Sequence, residues 1–201
     1  MNSKHLGDAF DHWKGAIIQR TERVFGEKIA VIPMVTDDKP WDNKMKEAYS
    51  QLINVDRELI LDWNQLTKEN RKWYFQNIFN RYYPGDLFID PDIGVTLEKY
   101  EHDPKYLRVD EIKILLDNGK VFNRVILIYQ HRPRELLSER VKKITDNIRR
   151  EVEKLDAVTY ECGDVAMLFF SYDRDRLKRI ENHLVKMLSS DPLNRVKIWP
   201  Q

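Results

Sequence analysis

The sequence predicts an α/β fold, with strands and helices alternating along a chain of 201 residues. Short runs rich in β-branched and aromatic residues are separated by longer segments that have apolar residues at helical spacing. This alternation predicts a largely parallel sheet in a three-layer arrangement. The length suits one sizeable core, so residues 1–201 are expected to form a single domain. The predicted strands are Lys28–Val35, Asp86–Asp90, Arg124–Tyr129, Val158–Glu161, Val165–Ser171 and a weaker Arg195–Trp199.

Helical periodicity occupies most of the segments between these strands. In Phe10–Phe25, apolar residues recur at helical spacing from Phe10 to Val24. The polar, irregular stretch between Ile93 and Tyr106 is predicted to be a loop over the carboxyl edge of the sheet. The other predicted helices are Trp41–Asp62, Thr67–Tyr82, Ser138–Leu155 and Asp173–Leu188.

The end of the chain departs from the alternation. Val158–Glu161 and Val165–Ser171 are separated only by Cys162-Gly163-Asp164, a gap that is typical of a β-hairpin. A mostly parallel sheet that ends in an antiparallel hairpin is the layout of the methyltransferase-type Rossmann variants. We therefore expect a Rossmann-like, methyltransferase-type three-layer sandwich with a C-terminal antiparallel hairpin.

Composition narrows the setting in which the protein works. The formal net charge is +1, so no global excess of positive charge indicates nucleic acid. The single cysteine, Cys162, excludes an intramolecular disulfide and a cysteine zinc cluster, as expected in a reducing cytoplasm. No apolar run approaches the roughly 20 residues that cross a bilayer, and the N-terminus lacks the apolar block of a signal peptide. We expect a cytoplasmic protein without membrane association.

The strand predicted at Asp86–Asp90 stops at Asp90-Pro91-Asp92, with Gly94 just beyond. Ligands of open α/β sheets bind at the carboxyl ends of strands, and Pro91 restricts the backbone there. Asp90 and Asp92 could bind Mg²⁺ or accept hydrogen bonds from an amine. Gly94 would permit close approach of the backbone. In the alternative interpretation, Asp92 caps a turn and Asp90 pairs with a lysine.

A second polar segment runs from Tyr129 to Arg134, directly after a predicted strand. In a parallel sheet it would lie beside the Asp-Pro-Asp motif. Gln130 and His131 can hydrogen-bond a base or another polar substrate, and Arg134 suits phosphate. The alternative is a polar loop that leads into a helix.

The N-terminal segment contains Asp8, Asp11 and Lys14 close together. On a helix, Asp11 and Lys14 are three residues apart and could form an ion pair, with Asp8 as the N-cap. In the functional interpretation, these side chains complete the pocket around the Asp-Pro-Asp motif.

A nuclease pattern is also present. Asp92 follows a proline, and Glu111 and Lys113 come later, as in metal-dependent nucleases in which Asp and Glu hold Mg²⁺ and Lys helps to activate water. That mechanism requires Glu111 and Lys113 on a strand. Apolar residues from Val109 to Leu116 form one helical stripe, which favours a helix instead.

The first predicted strand lacks the usual cofactor turn. Folds that bind S-adenosylmethionine or dinucleotides usually have a Gly-rich turn after this strand. Here Lys28–Val35 runs into residues Thr36 to Pro40 without a glycine. S-adenosylmethionine is therefore a possible cofactor without its usual turn, and Mg²⁺ is the other possible cofactor.

The motifs GDxxDxxK, DPDxG and YQHxPR together resemble those of a family of uncharacterised prokaryotic proteins. That family is distantly similar to ribosomal-RNA adenine methyltransferases and to the partner proteins of three-cysteine-motif systems. In the methyltransferases, the Asp of a strand-end Asp-Pro-Pro-Tyr accepts a hydrogen bond from the target amine and the aromatic ring stacks on the base. This chain has Asp92 and Ile93 in the last two places. The matching residues are Gly7, Asp8, Asp11 and Lys14; Asp90 to Gly94; Lys105, Tyr106, Leu107, Asp110 and Glu111; and Tyr129 to Arg134.

Three functions are open at this point. The leading one is a methyltransferase-like domain that acts on or binds nucleic acid through the Asp-Pro-Asp site. The second is a Mg²⁺-dependent nuclease, and the third is a non-catalytic partner protein on a degenerate Rossmann scaffold. The residues expected at the site are Lys14, Asp90, Asp92 and His131 as catalytic groups, Asp90 and Asp92 also as metal ligands, and Asp8, Asp11, Gly94, Lys105, Tyr106, Gln130 and Arg134 as substrate contacts.

Overall fold

The computed structural model has an α/β fold, as the sequence predicts. It describes residues 1–38, 40–80, 83, 85–98, 103–120, 123–131, 136–187 and 196–199, with only the backbone at 118–120, 187 and 196–199. The strands are β1 (Ile29–Ile32), β2 (Asp86–Ile89), β3 (Gly94–Thr96), β4 (Tyr106–Arg108), β5 (Ile126–His131), β6 (Asp156–Cys162), β7 (Val165–Ser171) and β8 (Val196–Trp199). The helices are α1 (Ala9–Phe25), α2 (Asn43–Ile53), α3 (Arg71–Asn80), α4 (Val109–Lys120), α5 (Leu137–Glu151) and α6 (Arg174–Met187).

Six strands form one sheet in the order β1-β2-β5-β7-β6-β8. β1, β2 and β5 are parallel neighbours. β7 is antiparallel to both β5 and β6, and β8 is antiparallel to β6. The prediction of a mostly parallel sheet is therefore wrong, and the sheet is mixed. The physical reason is that β7 also pairs with β5, with Ile126 opposite Phe170, so that the predicted hairpin is inserted in the sheet through a contact between distant segments.

β6 and β7 pair along their whole length, from Asp156 opposite Ser171 to Cys162 opposite Val165. The connection has a backbone φ of +62° at Gly163, in the left-handed region that tight two-residue turns require. Every residue of β7 is buried. The antiparallel half of the sheet is thus as much part of the core as the parallel half.

One short strand, β3, lies in the segment for which the sequence predicts a loop, and a second, β4, starts at Tyr106, where that segment ends. β3 pairs in parallel with β4, starting with Gly94 opposite Tyr106. The loop prediction is therefore wrong for Gly94–Thr96. Three-residue strands are too short to produce a recognisable alternation. Their position depends on contacts with β5, whose His131 N–H donates to the Ile93 carbonyl at 3.0 Å.

Local sequence sets the ends of α1 and α2. The Asp8 carboxylate accepts hydrogen bonds from two main-chain N–H groups of the first turn of α1, which confirms its N-cap role. Gly26 ends α1 with a φ of +71°. α2 is much shorter than the predicted Trp41–Asp62, because Asn54 adopts a φ of +51° and ends it. Within the described ranges, no helix is both long and apolar enough to cross a membrane.

Helices cover both faces of the sheet. Successive residues of a strand point to opposite faces, so Ile29 and Val31 pack in one core with α1, α2 and α6. Ala30 and Ile32 pack in the other core with α3, α4 and α5. Every residue of β1 and β2 is consequently buried. The carboxyl ends of the parallel strands form the edge that can receive a ligand.

Candidate functional site

A cavity of about 470 Å³ lies at the carboxyl ends of β2 and β5. Four segments that carry predicted site residues meet there: the start of α1, the turn after β2, the residue before β4 and the end of β5. Arg134 lies outside the described residues. Of the predicted site residues, the cavity is lined by Asp8, Asp11, Lys14, Asp92, Lys105 and His131.

Asp90 follows β2 and is completely buried beneath the cavity. Lys14 Nζ lies 3.0 Å from Asp90 Oδ1 and 3.1 Å from Oδ2. The Tyr49 hydroxyl donates to Oδ2 at 2.9 Å. The pairing with a lysine that the sequence left open is thus the observed arrangement. Both hydrogen bonds are to Oδ2, while Oδ1 is buried beside the Lys14 ammonium without a hydrogen bond. Asp90 therefore lies beneath the floor of the site and does not line the cavity.

Lys14 reaches Asp90 from the second turn of α1 and forms ion pairs with two carboxylates. Its Nζ is also 3.1 Å from Asp11 Oδ1 and 4.3 Å from the centre of the Tyr129 ring. Burial by itself would lower the pKa of Lys14, but the attraction of Asp90 and Asp11 outweighs burial and raises it. Lys14 therefore stays protonated, which suits charge neutralisation and not the role of a general base.

Asp11 and Tyr49 complete this buried charge cluster, which consists of Asp11, Lys14, Tyr49 and Asp90. Asp11 Oδ2 accepts a hydrogen bond from the Gly7 N–H at 2.9 Å. Burial raises the pKa of Asp11, and the charge of Lys14 counteracts that rise. Burial, followed by the nearby charge of Asp90, raises the pKa of Tyr49 well above its usual value. The Tyr49 hydroxyl therefore keeps its proton and remains a donor.

Asp92 faces the cavity and has different partners from Asp90. Its Oδ2 accepts from the Thr36 hydroxyl at 2.9 Å, and its Oδ1 is 3.9 Å from the main-chain nitrogen of Met1. In the described part of the chain, no three or more His, Cys, Asp or Glu side chains are grouped to hold a metal ion. A Mg²⁺ ion at Asp90 would also have to displace Lys14. These contacts do not fit the predicted magnesium site.

Gln130 and Gly94 lie outside the cavity and position the strands beside it. Gln130 is buried, and its Oε1 accepts from the Val95 N–H at 2.7 Å while its Nε2 donates to the His131 carbonyl at 2.6 Å. Gly94 has a φ of +128°, and a Cβ there would lie 2.4 Å from Gln130 Oε1. The sequence predicts substrate contacts for both residues. In the structure neither lines the cavity; together they hold β3 against β5.

We expect Gly94→Ala to destabilise the fold, because the new methyl group would displace the Gln130 amide. Backbone strain and overpacking together should reduce the free energy of unfolding by about 2–4 kcal/mol. Gly163→Ala is the matched control, since Gly163 also has a positive φ of +62° but no atom lies within 4 Å of the position that a Cβ would take there. Urea denaturation of both variants measures the difference. Equal losses would show that Gln130 does not constrain position 94.

The rim of the cavity combines polar groups with aromatic rings. The Phe10 ring meets the His131 ring edge-on, with 5.9 Å between centroids. The Lys105 carbonyl accepts from the Ile93 N–H at 3.0 Å, which places the exposed Lys105 side chain at the opening. Tyr129 contributes a ring to the wall. A ligand here would meet apolar surfaces on its sides and charged groups at the floor and the opening.

Tyr106, another predicted substrate contact, does not line the cavity. Its carbonyl accepts from Arg71 Nη2 at 2.6 Å. Arg71 is buried and binds Glu111 through two hydrogen bonds of 2.6 and 2.7 Å, and its Nη1 donates to the Asp103 carbonyl at 3.2 Å. Arg71 therefore fixes the segment that carries Lys105 to the opening.

Sequence reasoning missed Tyr49, Thr36 and Arg71. Arg71 was detectable in principle, because it shares a helical stripe with buried Tyr74 and Phe75, and a charged residue on an apolar stripe indicates a buried partner. Tyr49 lies on the buried face of α2, where a tyrosine is unremarkable. Thr36 had no distinguishing pattern.

The nuclease pattern does not assemble in the structure. Asp110–Leu116 lies within α4, which confirms the helix that the apolar stripe favoured. The Glu111 carboxylate binds Arg71 and accepts from the Arg108 N–H at 2.9 Å. Glu111 and Lys113 therefore lack the strand on which this mechanism depends.

The turn after β1 does not fit S-adenosylmethionine in the usual way. A Gly-rich turn lets a ligand approach the backbone closely. Here Met34 and Val35 are fully buried, and the Thr36 N–H already donates to the Met1 carbonyl at 3.0 Å. The backbone at the end of β1 is covered by the chain itself.

In comparisons with known proteins, no family model matches this chain and no curated protein matches it. The fold and the geometry of the cavity therefore carry the functional argument.

Proposed function

We propose that this protein is a binding protein on a methyltransferase-like, Rossmann-type scaffold, and that its cavity receives a base of a nucleic acid without transferring a methyl group to it. The scaffold part is supported by the strand order β1-β2-β5-β7-β6, in which β7 lies antiparallel between two strands that run in the same direction. Helices on both faces and the C-terminal hairpin of β6 and β7 agree with the three-layer methyltransferase-type layout.

The main support for this proposal is that the two carboxylates of the Asp-Pro-Asp motif differ in accessibility: Asp90 is buried against other side chains, and Asp92 lines the cavity. An amino-methyl transfer would need the Asp90 carboxylate to accept from the target amine. Asp90 is completely buried, and Lys14 and Tyr49 contact its oxygens. Asp92 instead lines the cavity. The geometry thus favours recognition by Asp92 over chemistry at Asp90.

The remaining lining groups suit a planar, polar ligand. The Asp92 carboxylate can accept hydrogen bonds from an exocyclic amine, and the Phe10 and Tyr129 rings provide apolar surfaces for a base. Lys105 at the opening can contact a phosphate. The volume of about 470 Å³ is within the range of pockets that bind small molecules, roughly 300–1,000 Å³.

Tryptophan fluorescence can test this proposal directly. Trp13 stacks on Tyr160 at 5.8 Å and meets the edge of the cavity residue Tyr129 at 6.4 Å, so a base in the cavity should change its emission. We expect nucleosides that carry an exocyclic amine to bind. Asp92→Asn should weaken binding about tenfold, because a charge-assisted hydrogen bond is replaced by a weaker one.

Asp110→Asn is the matched control, since Asp110 is exposed on α4 and does not line this cavity. It should bind like the unmodified protein. In parallel, a labelled methyl group on S-adenosylmethionine is offered together with RNA. Incorporation of label would contradict the proposal of binding without transfer, and a cavity that binds no nucleoside would contradict the proposed ligand.

A further inference from the structure

The outer face of α1 and α6 carries a concentration of positive charge. Counting exposed charged side chains on these two helices, five are cationic and one is anionic in the described structure. The cations are Arg23, Arg174, Lys178, Arg179 and Lys186, and the anion is Asp175. We define these five cations as the α1–α6 basic face.

The other helices do not share this imbalance. Their exposed charges, where side chains are described, are close to balanced on each helix. They are Lys44 and Glu47 on α2, Lys72 on α3, Lys113 with Asp110 and Asp117 on α4, and Lys142, Lys143 and Arg150 with Glu139 and Glu151 on α5. With a net charge of only +1 for the whole chain, the basic face is a local feature and not a reflection of composition.

The two helices form one continuous surface. The Arg179 guanidinium donates from α6 to the Val24 carbonyl of α1 and lies 5.0 Å from the centre of the Phe25 ring. Along α6, the cations Arg174, Lys178 and Lys186 and the uncharged Asn182 follow one another at intervals of four residues. At the rise of an α-helix this spacing is about 6 Å per step, so the row extends over roughly 18 Å.

Apart from Arg179, which contacts Val24 and Phe25 of α1, the cations of this face make no hydrogen-bonded ion pair within the described structure. Among the described residues, no carboxylate oxygen lies within ion-pair distance of Arg23, Arg174, Lys178 or Lys186, although the charge of Lys178 acts on Glu181 of the same helix and counteracts the rise of its pKa on burial. Arg176, on the same helix, behaves differently, since it binds Asp86 at 2.9 Å and Glu27 at 3.0 Å. Arg176 therefore has a structural role, whereas the basic face retains its charge for a partner.

The positive charge of the α1–α6 basic face and its few exposed apolar side chains indicate which class of partner it suits. Val185 is the only large hydrophobic side chain exposed on the described part of α6, and α1 exposes none. A membrane-surface helix would need an apolar stripe beside its cations. A row of cations without such a stripe suits a phosphate backbone, which is neutralised by Lys and Arg with release of counterions.

The basic face begins near the amino edge of the parallel strands, where Arg179 contacts Val24 and Phe25 at the end of α1, and Lys186 near the end of α6 is its cation nearest the cavity edge. α6 begins beside Asp86, the first residue of β2, and so runs from the amino edge of the parallel strands towards their carboxyl edge. α1 begins at the cavity with Asp8 and Phe10. We propose that the α1–α6 basic face binds the backbone of a single-stranded nucleic acid, and that a strand running along α6 past Lys186 brings a base to the cavity. This extends the proposed function, but the face lies outside the cavity and is tested separately.

The test is fluorescence anisotropy with a fluorescein-labelled single-stranded RNA of about 12 nucleotides at about 50 and about 200 mM salt. The test variant combines Arg23→Glu, Lys178→Glu and Lys186→Glu. The control variant combines Lys44→Glu, Lys72→Glu and Lys142→Glu, which are exposed residues on α2, α3 and α5. The two triple variants change the net charge equally, and circular dichroism checks their folding.

We expect the test variant to bind at least about tenfold more weakly, and its salt dependence to be shallower by about 0.7 in log–log slope for each phosphate that the face no longer neutralises. The control variant should stay within about twofold of the unmodified protein. If the test triple does not fold, single variants Lys178→Glu and Lys186→Glu are compared with Lys44→Glu in the same way.

Equal losses in both triple variants, or no RNA binding by the unmodified protein, would overturn the proposal. Binding to vesicles containing anionic lipid but not to RNA would also overturn it in favour of a membrane surface. Because these measurements use the basic face and the nucleoside titration uses Asp92, failure of one proposal is distinguishable from failure of the other.

Discussion

Lys14→Met is expected to reduce the free energy of unfolding at neutral pH by about 3–5 kcal/mol, the cost of breaking a buried ion pair by removing one partner. Lys14 is 3 % exposed, and Asp11 and Asp90 are both completely buried. Without the ammonium group, two carboxylates would face each other in the protein interior. Chemical denaturation followed by circular dichroism measures the loss.

The pH dependence of this variant distinguishes charge from packing. Burial already raises the pKa of Asp11, and removing Lys14 should raise it further. The folded variant would then bind protons more readily than its unfolded chain, so its stability should recover as the pH falls towards the usual pKa of an aspartate. Adding Asp90→Asn to Lys14→Met should recover part of the loss at neutral pH.

Lys44→Met, at an exposed position on α2, is the matched control for the loss of a lysine charge. Its stability should change little, because exposed charges contribute little to stability. A Lys14→Met protein that is as stable as this control at neutral pH would show that the buried charge cluster does not hold α1 against β2.

Arg71→Met should also reduce the free energy of unfolding by about 3–5 kcal/mol. This substitution affects a different part of the site, the segment that carries Lys105. Arg71 is 4 % exposed and its partner Glu111 is 5 % exposed. The variant loses both bonds to Glu111 and the bonds to the Tyr106 and Asp103 carbonyls. The segment with Lys105 should also lose its anchor. Unfolding experiments measure the stability, and amide hydrogen exchange at β4 measures the anchoring.

The double variant Arg71→Met/Glu111→Leu separates the two contributions. Burial raises the pKa of Glu111, and Arg71 counteracts that rise. Removing the carboxylate as well should restore much of the stability, since no buried charge is left uncompensated. Faster hydrogen exchange at β4 should persist, because Arg71 no longer holds the carbonyls. Lys72→Met, exposed on α3, should have neither effect.

Several features of the fold could be predicted because their causes lie within a short stretch of chain. The helix at α4 follows from an apolar stripe, and the start of α1 follows from the capping side chain of Asp8. The strand β2, which ends at Ile89 just before Asp90, follows from a buried apolar run before an Asp-Pro pair. In each case, local hydrogen bonding and side-chain periodicity are sufficient.

The mixed sheet and the short strands β3 and β4 could not be predicted in the same way. β7 lies between β5 and β6 because of pairing between distant segments, such as Ile126 opposite Phe170. β3 exists because Gln130 and His131 of β5 hold its backbone. Sequence periodicity describes which face of an element is apolar, but it does not describe which element will cover that face.

The Asp-Pro-Asp motif shows the same division at the site. The sequence by itself determined that two carboxylates stand at the end of a buried strand, and that Asp8, Asp11 and Lys14 lie near the start of a helix. Only the tertiary structure decided that Asp90 is buried in contact with Lys14 and Tyr49 while Asp92 faces the cavity. The physical reason is that a buried carboxylate requires a compensating charge, and which cation supplies it depends on how helices pack across the sheet. The chemical character of an aspartate is a property of its sequence, whereas its accessibility is a property of the folded chain.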